Sequence, residues 1–467
     1  MQSSKLISIL STFNKQEFSE LLKFVRSPFF NEHEQVLKLY EYILKYKYDL
    51  SNKNLNKELA FAKIVGGKYN DLKMRHLMAN LLKLVERYLA TKYVKNNEIA
   101  ANMQLAVELG ARAKSKQYSN AIKKGQQLLE KRKTRDGDFY YYKFRFEREY
   151  SKYIADQRIR TVATNVEQTL EYLDIFYLIN KLRYCCELLN YKKVMAIEFE
   201  IFLMEEILSH LKEKNYTHIP AISIYYNILL SLQDDGNEQY FSNITSLLNN
   251  HWQEFTKREA RDMYIFAENY CIRKINTGNS DYLRQLIGLY QSEINNGIVL
   301  EDGFLSPWFY KNAVIAGLRL GDFKWVFTFI KDNKNKMEAD VRENAYLFNI
   351  ARYHFYKKDF EKVIPNLLQV EYDDVFYGID SRKLLLQTYY ELNEVEAMYS
   401  LMDSFRTLLK RNKTISETHL NNNLNLIRFV GKLLAAKNQP PKLKKLRAEI
   451  EKTPSVAEKR WLMEKVA

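Results

Sequence analysis

Glycine and proline are scarce in this chain of 467 residues, with 14 Gly and 7 Pro, under half of what average usage supplies (about 12% together). Many-turned β sandwiches and barrels place these residues at most of their turns, and βα nucleotide-binding folds need glycine in their phosphate loops. Neither class fits. Disorder does not fit either, because 46% of the residues are hydrophobic and 14% aromatic. The sequence therefore specifies an all-α protein, long enough for two or three domains or for one extended repeat array.

Three cysteines, Cys185, Cys186 and Cys271, cannot build a disulfide framework, and the adjacent pair lacks a metal-knuckle spacing. The opening stretch is too short and interrupted for a signal peptide, and no run approaches the ~20 apolar residues of a membrane helix. A cytoplasmic location and no membrane partner are the expectations. The formal net charge of +15 is uneven: residues 1–150 carry +13 and residues 401–467 carry +9, around a middle of −7. Basic ends point to a phosphate-rich partner where they cluster on one face. The excess of Lys over Arg among many Asn, Tyr, Ile and Phe equally fits the codon bias of an AT-rich genome.

Local punctuation places the first helices. Asn14 followed by Glu17 reads as a capping box, with Phe13 and Phe18 positioned as a hydrophobic staple. Phe18, Leu21, Leu22 and Val25 follow at helical spacing until Ser27-Pro28 stops the helix. Asn31 with Glu34 predicts a second cap, and further helices are expected over 54–65 and 71–95, separated by Gly66-Gly67. Residues 1–95 thus read as an N-terminal helical module.

Beyond residue 100 long helices come in pairs with short polar turns. An aromatic or branched residue just after a turn recurs at Tyr118, Tyr191, Tyr240, Tyr282, Phe323, Phe360 and Val395. In the last three units the turns are Gly321-Asp322-Phe323, Lys358-Asp359-Phe360 and Asn393-Glu394-Val395. Val326 with Ile330, Val363 with Leu367, and Met398 with Met402 follow at matched offsets. Val314, Ala351 and Leu386 precede the turns, then Leu318, Phe355 and Tyr390. Such stripes suit helix pairs that stack on their neighbours.

At these residues, above all Leu320-Gly321-Asp322-Phe323, the chain resembles the tetratricopeptide-repeat family, specifically over about 305–410 and more loosely over about 100–300. It departs from the family in the large residues at close crossings (Leu386, Val326), in the later apolar positions Ile244 and Leu286, and in Pro365 within a second helix, where a kink is expected. The segment Arg26-Ser27-Pro28-Phe29-Phe30-Asn31 resembles the start of uncharacterised solenoid proteins from Bacteroidetes genomes. The resemblance implies an irregular right-handed α-solenoid of tetratricopeptide-like pairs over 96–437. Gln439-Pro440-Pro441 ends it, and 438–467 forms basic capping helices, the last expected to start at Thr453-Pro454.

Motifs for chemistry are missing. The seven histidines are scattered, and His33-Glu34 lacks the second histidine of a zinc-protease helix. His354 reads as a packing residue. Gly66-Gly67-Lys68 lacks the remainder of a phosphate loop. Asp234-Asp235-Gly236 reads as a solvated turn, and Asp373-Asp374 near Asp380 as a charged loop. No catalytic residue, metal or cofactor is expected. The sharpest positive feature is residues 112–152, where Arg112, Lys116, Lys123, Lys124 and Arg132 precede a helix bearing Tyr141, Arg145, Arg148 and Lys152 on one face. On the same helix Phe139, Tyr142, Phe146, Tyr150 and Tyr153 form an apolar stripe. Arginines beside an exposed tyrosine suit phosphate contact with base stacking; a solvated face paired with Glu147 and Glu149 is the competing reading. The expected function is a non-enzymatic scaffold or adaptor that binds a protein or peptide along its repeat surface. The alternative is a nucleic-acid-associated or regulatory protein using 112–152 and the basic C-terminus.

Overall fold

A computed structural model gives the fold and describes every residue except 113, 157–163, 196–199, 215, 235, 371–374, 413–414 and 438. It is helical almost throughout and divides into two compact units, Met1–Tyr184 and Cys185–Ala467.

The first unit begins with α1 (Lys5–Leu10), α2 (Lys15–Arg26), α3 (Glu34–Leu44), α4 (Lys57–Ile64) and α5 (Asp71–Asn96). Helix α5 packs against each of the other four. Their apolar faces share one core that includes Leu10, Leu21, Leu39, Ile43, Leu81 and Val85. The capping box forms as the sequence specifies, with Asn14 accepting from the Glu17 amide and Glu17 accepting from the Asn14 amide. Phe13 meets Phe18 edge-on at 5.8 Å between ring centroids. The second cap does not form. Helix α3 starts behind His33 with no side-chain cap, because the Asn31 side chain instead donates to the carbonyls of Val25 and His33.

Next come α6 (Glu98–Ala111), α7 (Ser115–Lys131) and α8 (Gly137–Asp156). Helix α6 packs on α7, and both contact α8. Gly125 permits the α7–α8 approach, since a Cβ there would overlap the Phe146 ring. The boundary between the units falls within α9 (Thr164–Met195).

The second unit continues with α10 (Met204–Glu213), α11 (Pro220–Gln233), α12 (Glu238–His251), α13 (Lys257–Asn276) and α14 (Tyr282–Asn295). A two-residue hairpin, β1 (Leu300–Glu301) with β2 (Phe304–Leu305), interrupts the all-α expectation. Asp302-Gly303 explains it: both have positive φ, as a tight hairpin turn requires. The chain resumes with α15 (Pro307–Leu320), α16 (Phe323–Asn333), α17 (Ala339–Tyr356), α18 (Phe360–Leu367), α19 (Val375–Leu392), α20 (Val395–Arg411), α21 (Glu417–Ala435), α22 (Pro440–Lys452) and α23 (Lys459–Lys465).

Helices α15 to α20 pack as consecutive hairpins, α15 on α16, α17 on α18 and α19 on α20, while α17 also contacts α15 and α19. The three turns share one backbone geometry. Gly321, Lys358 and Asn393 have φ of 81°, 63° and 61°. The next amide, of Asp322, Asp359 and Glu394, donates to the carbonyl five residues back, at Gly317, His354 and Tyr389. This is the Schellman helix ending, in which a left-handed residue lets the chain reverse while orphan carbonyls are satisfied. The matched positions Val314, Ala351, Leu386, Val326, Val363 and Met398 are all fully buried. Pro365 sits in the short helix α18, which ends two residues later. The final helix does not start at Thr453-Pro454. Thr453 instead ends α22, its hydroxyl donating to the Glu449 carbonyl, and α23 starts after Glu458, held at φ 52°.

Candidate functional site

The structure places the basic residues picked out in the sequence on three elements of the first unit. Arg112, at the end of α6, pairs with Glu108, and Arg132, after α7, pairs with Asp136 at 3.0 Å. Lys116, Lys123 and Lys124 stand exposed along α7, and Lys152 along α8; none of the four has an ion-pair or hydrogen-bond partner among the described residues. Arg148 is exposed and pairs with Glu149 at 3.0 Å.

Tyr141 is not an open stacking platform. It is half-buried, with its ring 5.4 Å from Phe176 and 5.5 Å from Tyr142, and its hydroxyl accepts from Arg145 at 3.1 Å. Within the nine residues, Tyr141 and Arg145 are the one pair joined by a hydrogen bond among the described residues. The apolar stripe of α8 also divides. Phe139 and Phe146 are core, Tyr142 and Tyr153 are half-buried, and Tyr150 is 41% exposed.

The second unit contains a site of a different kind. A cavity of about 750 Å³ lies among α15, α17, α19 and α23. Two positions recur in its lining. Six residues before each left-handed turn residue stand Ile315, Arg352 and Gln387; two residues before it stand Arg319, Tyr356 and Glu391. Each pair is four residues apart, hence on one helix face. The same two rows of three successive hairpins therefore form one concave wall.

Charge at this wall is ordered. Asp380, largely buried on α19, receives Lys311 at 2.9 Å and Lys383 at 2.7 Å, so it is no part of a charged loop; Asp373 and Asp374 lie outside the described residues. Burial opposes ionisation of Asp380, but Lys383, Arg352 and Lys311 overcome it and hold its carboxyl well below the usual range. Burial pulls the Lys311 ammonium down, opposed by Asp380. Glu391 accepts from the Trp461 indole at 2.9 Å and from Lys465 at 2.8 Å, which ties α23 to α19. Arg352 lies over the Phe348 ring at 4.9 Å, and its buried Nε has no hydrogen-bond partner. Tyr356 is 40% exposed, yet the atoms crowding around it push its hydroxyl pKa up by desolvation. Such a residue faces solvent from inside a concavity.

Sequence reading passed over these positions because it followed the apolar stripe. The signal was present: counting back from Gly321, Lys358 and Asn393 marks both rows.

Among the described residues no group of three or more His, Cys, Asp or Glu is arranged to hold a metal. His354 meets Asp359 across its own turn at 3.4 Å. The three thiols are buried, and burial pushes Cys186 well up and Cys271 up to about 12. No described helix is long and apolar enough to cross a membrane. No protein-family model matches the chain, nor does any curated protein or solved structure.

Proposed function

We propose that the chain is a non-enzymatic scaffold, an irregular right-handed α-solenoid of tetratricopeptide-like pairs that binds a protein or peptide partner in the cytoplasm. One observation carries this reading. Three hairpins end their first helices in the same left-handed turn and turn the same two side-chain rows toward one concave wall. Repetition of this kind yields an extended surface whose side chains vary while the backbone does not, which suits recognition of another chain. Affinity capture with the full chain tests it: a stoichiometric protein partner is expected, and repeated recovery of the bait alone would overturn the proposal.

A nucleic-acid-associated role for 112–152 and the basic C-terminus is the second reading. It is favoured by the exposure of Lys116, Lys123, Lys124 and Lys152, which have no ion-pair or hydrogen-bond partner among the described residues. It is weakened by Tyr141, whose contacts with Phe176 and Tyr142 leave little ring face for a base.

A further inference from the structure

Charges around the cavity of the second unit do not cancel. Every acid in its lining has a cation partner: Asp380 has Lys311 and Lys383, Glu391 has Lys465, Glu464 has Arg460 at 3.2 Å, and Glu458 has Lys383 at 3.8 Å. Arg319, Arg352 and Lys358 line the same cavity with no ion-pair partner among the described residues. They come from α15, α17 and the turn after α17, so the excess of positive charge converges from separate elements. Arg352 is half-buried with an unpartnered Nε and its charge partly offset by Asp380, while Arg319 and Lys358 are exposed beside it, so an anion entering here meets all three cations. Phe355, Tyr356 and Trp461 supply apolar and aromatic surface beside them. A volume of about 750 Å³ is far too large for a bare inorganic anion and falls within the range of small-molecule sites. Helix α23, fastened through Trp461 and Lys465 to Glu391, bounds the fourth side. That closure leaves a recess within the wall the size of a compact molecule.

We infer that this cavity binds a small organic anion, its acidic group held by Arg319, Arg352 and Lys358 and its apolar or aromatic body lying against Phe355, Tyr356 and Trp461. The pocket shares its wall with the proposed partner surface; anion binding kept by a chain that captures no partner, or a partner kept by a variant that has lost the anion, shows which of the two proposals has failed. Planar guanidinium groups suit a carboxylate, sulfonate or phosphate equally, since each offers two oxygens to the fork.

The test titrates the full chain with anilinonaphthalene sulfonate, an aromatic anion, and with phenylnaphthylamine, its uncharged counterpart. The expected result is saturable one-to-one binding of the anion and weaker binding of the neutral dye. Arg319→Gln, on an exposed helix face, should weaken the anion about 10- to 100-fold, as loss of one charge-assisted hydrogen bond does. Arg352→Gln should do the same, and Lys358→Gln less, while the neutral dye is unaffected. Because Arg319 and Lys358 are exposed, their variants keep the fold even should Arg352→Gln not. Unchanged anion affinity in Arg319→Gln, or equal affinity for both dyes, would overturn the inference. So would binding of an oligoglutamate peptide without binding of the dye, which would make the site an acidic-peptide groove. Competition by benzoate or phenyl phosphate would support it and tell which acid the cavity prefers.

Discussion

Glu293 offers the sharpest energetic test of the second unit. It lies on α14 with no exposed surface, and its Oε1 accepts from Arg261 of α13 at 2.5 Å. The same guanidinium also serves Glu268, so one cation faces two carboxylates. Burial, followed by the charge of Glu268, pushes the Glu293 carboxyl up to about 10. In the unfolded chain an ordinary glutamate ionises near pH 4.3. Between these values the folded protein holds a proton that the unfolded chain has released. Folding stability is therefore highest below the unfolded value and falls as pH rises, at about 1.4 kcal/mol per pH unit, until the folded pKa is passed. From pH 6 to pH 8 this group alone removes about 3 kcal/mol. Glu293→Gln mimics the protonated form and removes the dependence. Urea unfolding of both proteins at pH 6, 7 and 8, followed by circular dichroism, reads the difference. Glu293→Gln should gain on the wild type by about 1.4 kcal/mol for each unit of pH. A difference that stays constant with pH would refute the reasoning. So would a loss of about 3–5 kcal/mol at every pH, the signature of a broken buried ion pair.

Three further outcomes follow from the same geometry. Gly321→Ala, at φ 81°, should cost about 1 kcal/mol or more, whereas Gly288→Ala, in open space on α14, should gain up to about 1 kcal/mol; thermal unfolding checks both. Gly125→Ala should cost about 1–3 kcal/mol because its methyl meets the Phe146 ring, and Phe146→Leu in the same background should recover part of that loss. Single-stranded RNA or DNA held by the lysines of α7 at low salt should be released by about 200 mM salt; retention there would favour the nucleic-acid reading.

Much of the fold was legible because the signals were local. The Asn14–Glu17 box lies within four residues, and each turn between α15 and α20 announces itself by a polar break between apolar stripes. Where the sequence misled, a nearby backbone carbonyl took the polar group. Asn31 turned back to the Val25 carbonyl and left α3 uncapped. Thr453 closed α22 instead of opening α23. The Arg261–Glu268–Glu293 cluster spans 32 residues of chain, and no spacing rule connects its members. Tyr141, Arg145, Arg148 and Lys152 recur at helical spacing along α8, but whether Tyr141 was open depended on Phe176, from another helix. The cavity rows were legible in principle, since both are fixed offsets from the turns, yet their meaning required knowing that the first helices lie side by side.

The central claim is that the repeated face of α15, α17 and α19 recognises another protein. Affinity capture by the full chain, with the complex weighed by native mass spectrometry and repeated with Tyr356→Ala, tests it most directly. The account predicts one partner at fixed stoichiometry and its loss in the variant, with circular dichroism checking that the variant is folded. Recovery of the bait alone, or a partner retained undiminished by Tyr356→Ala, would contradict it.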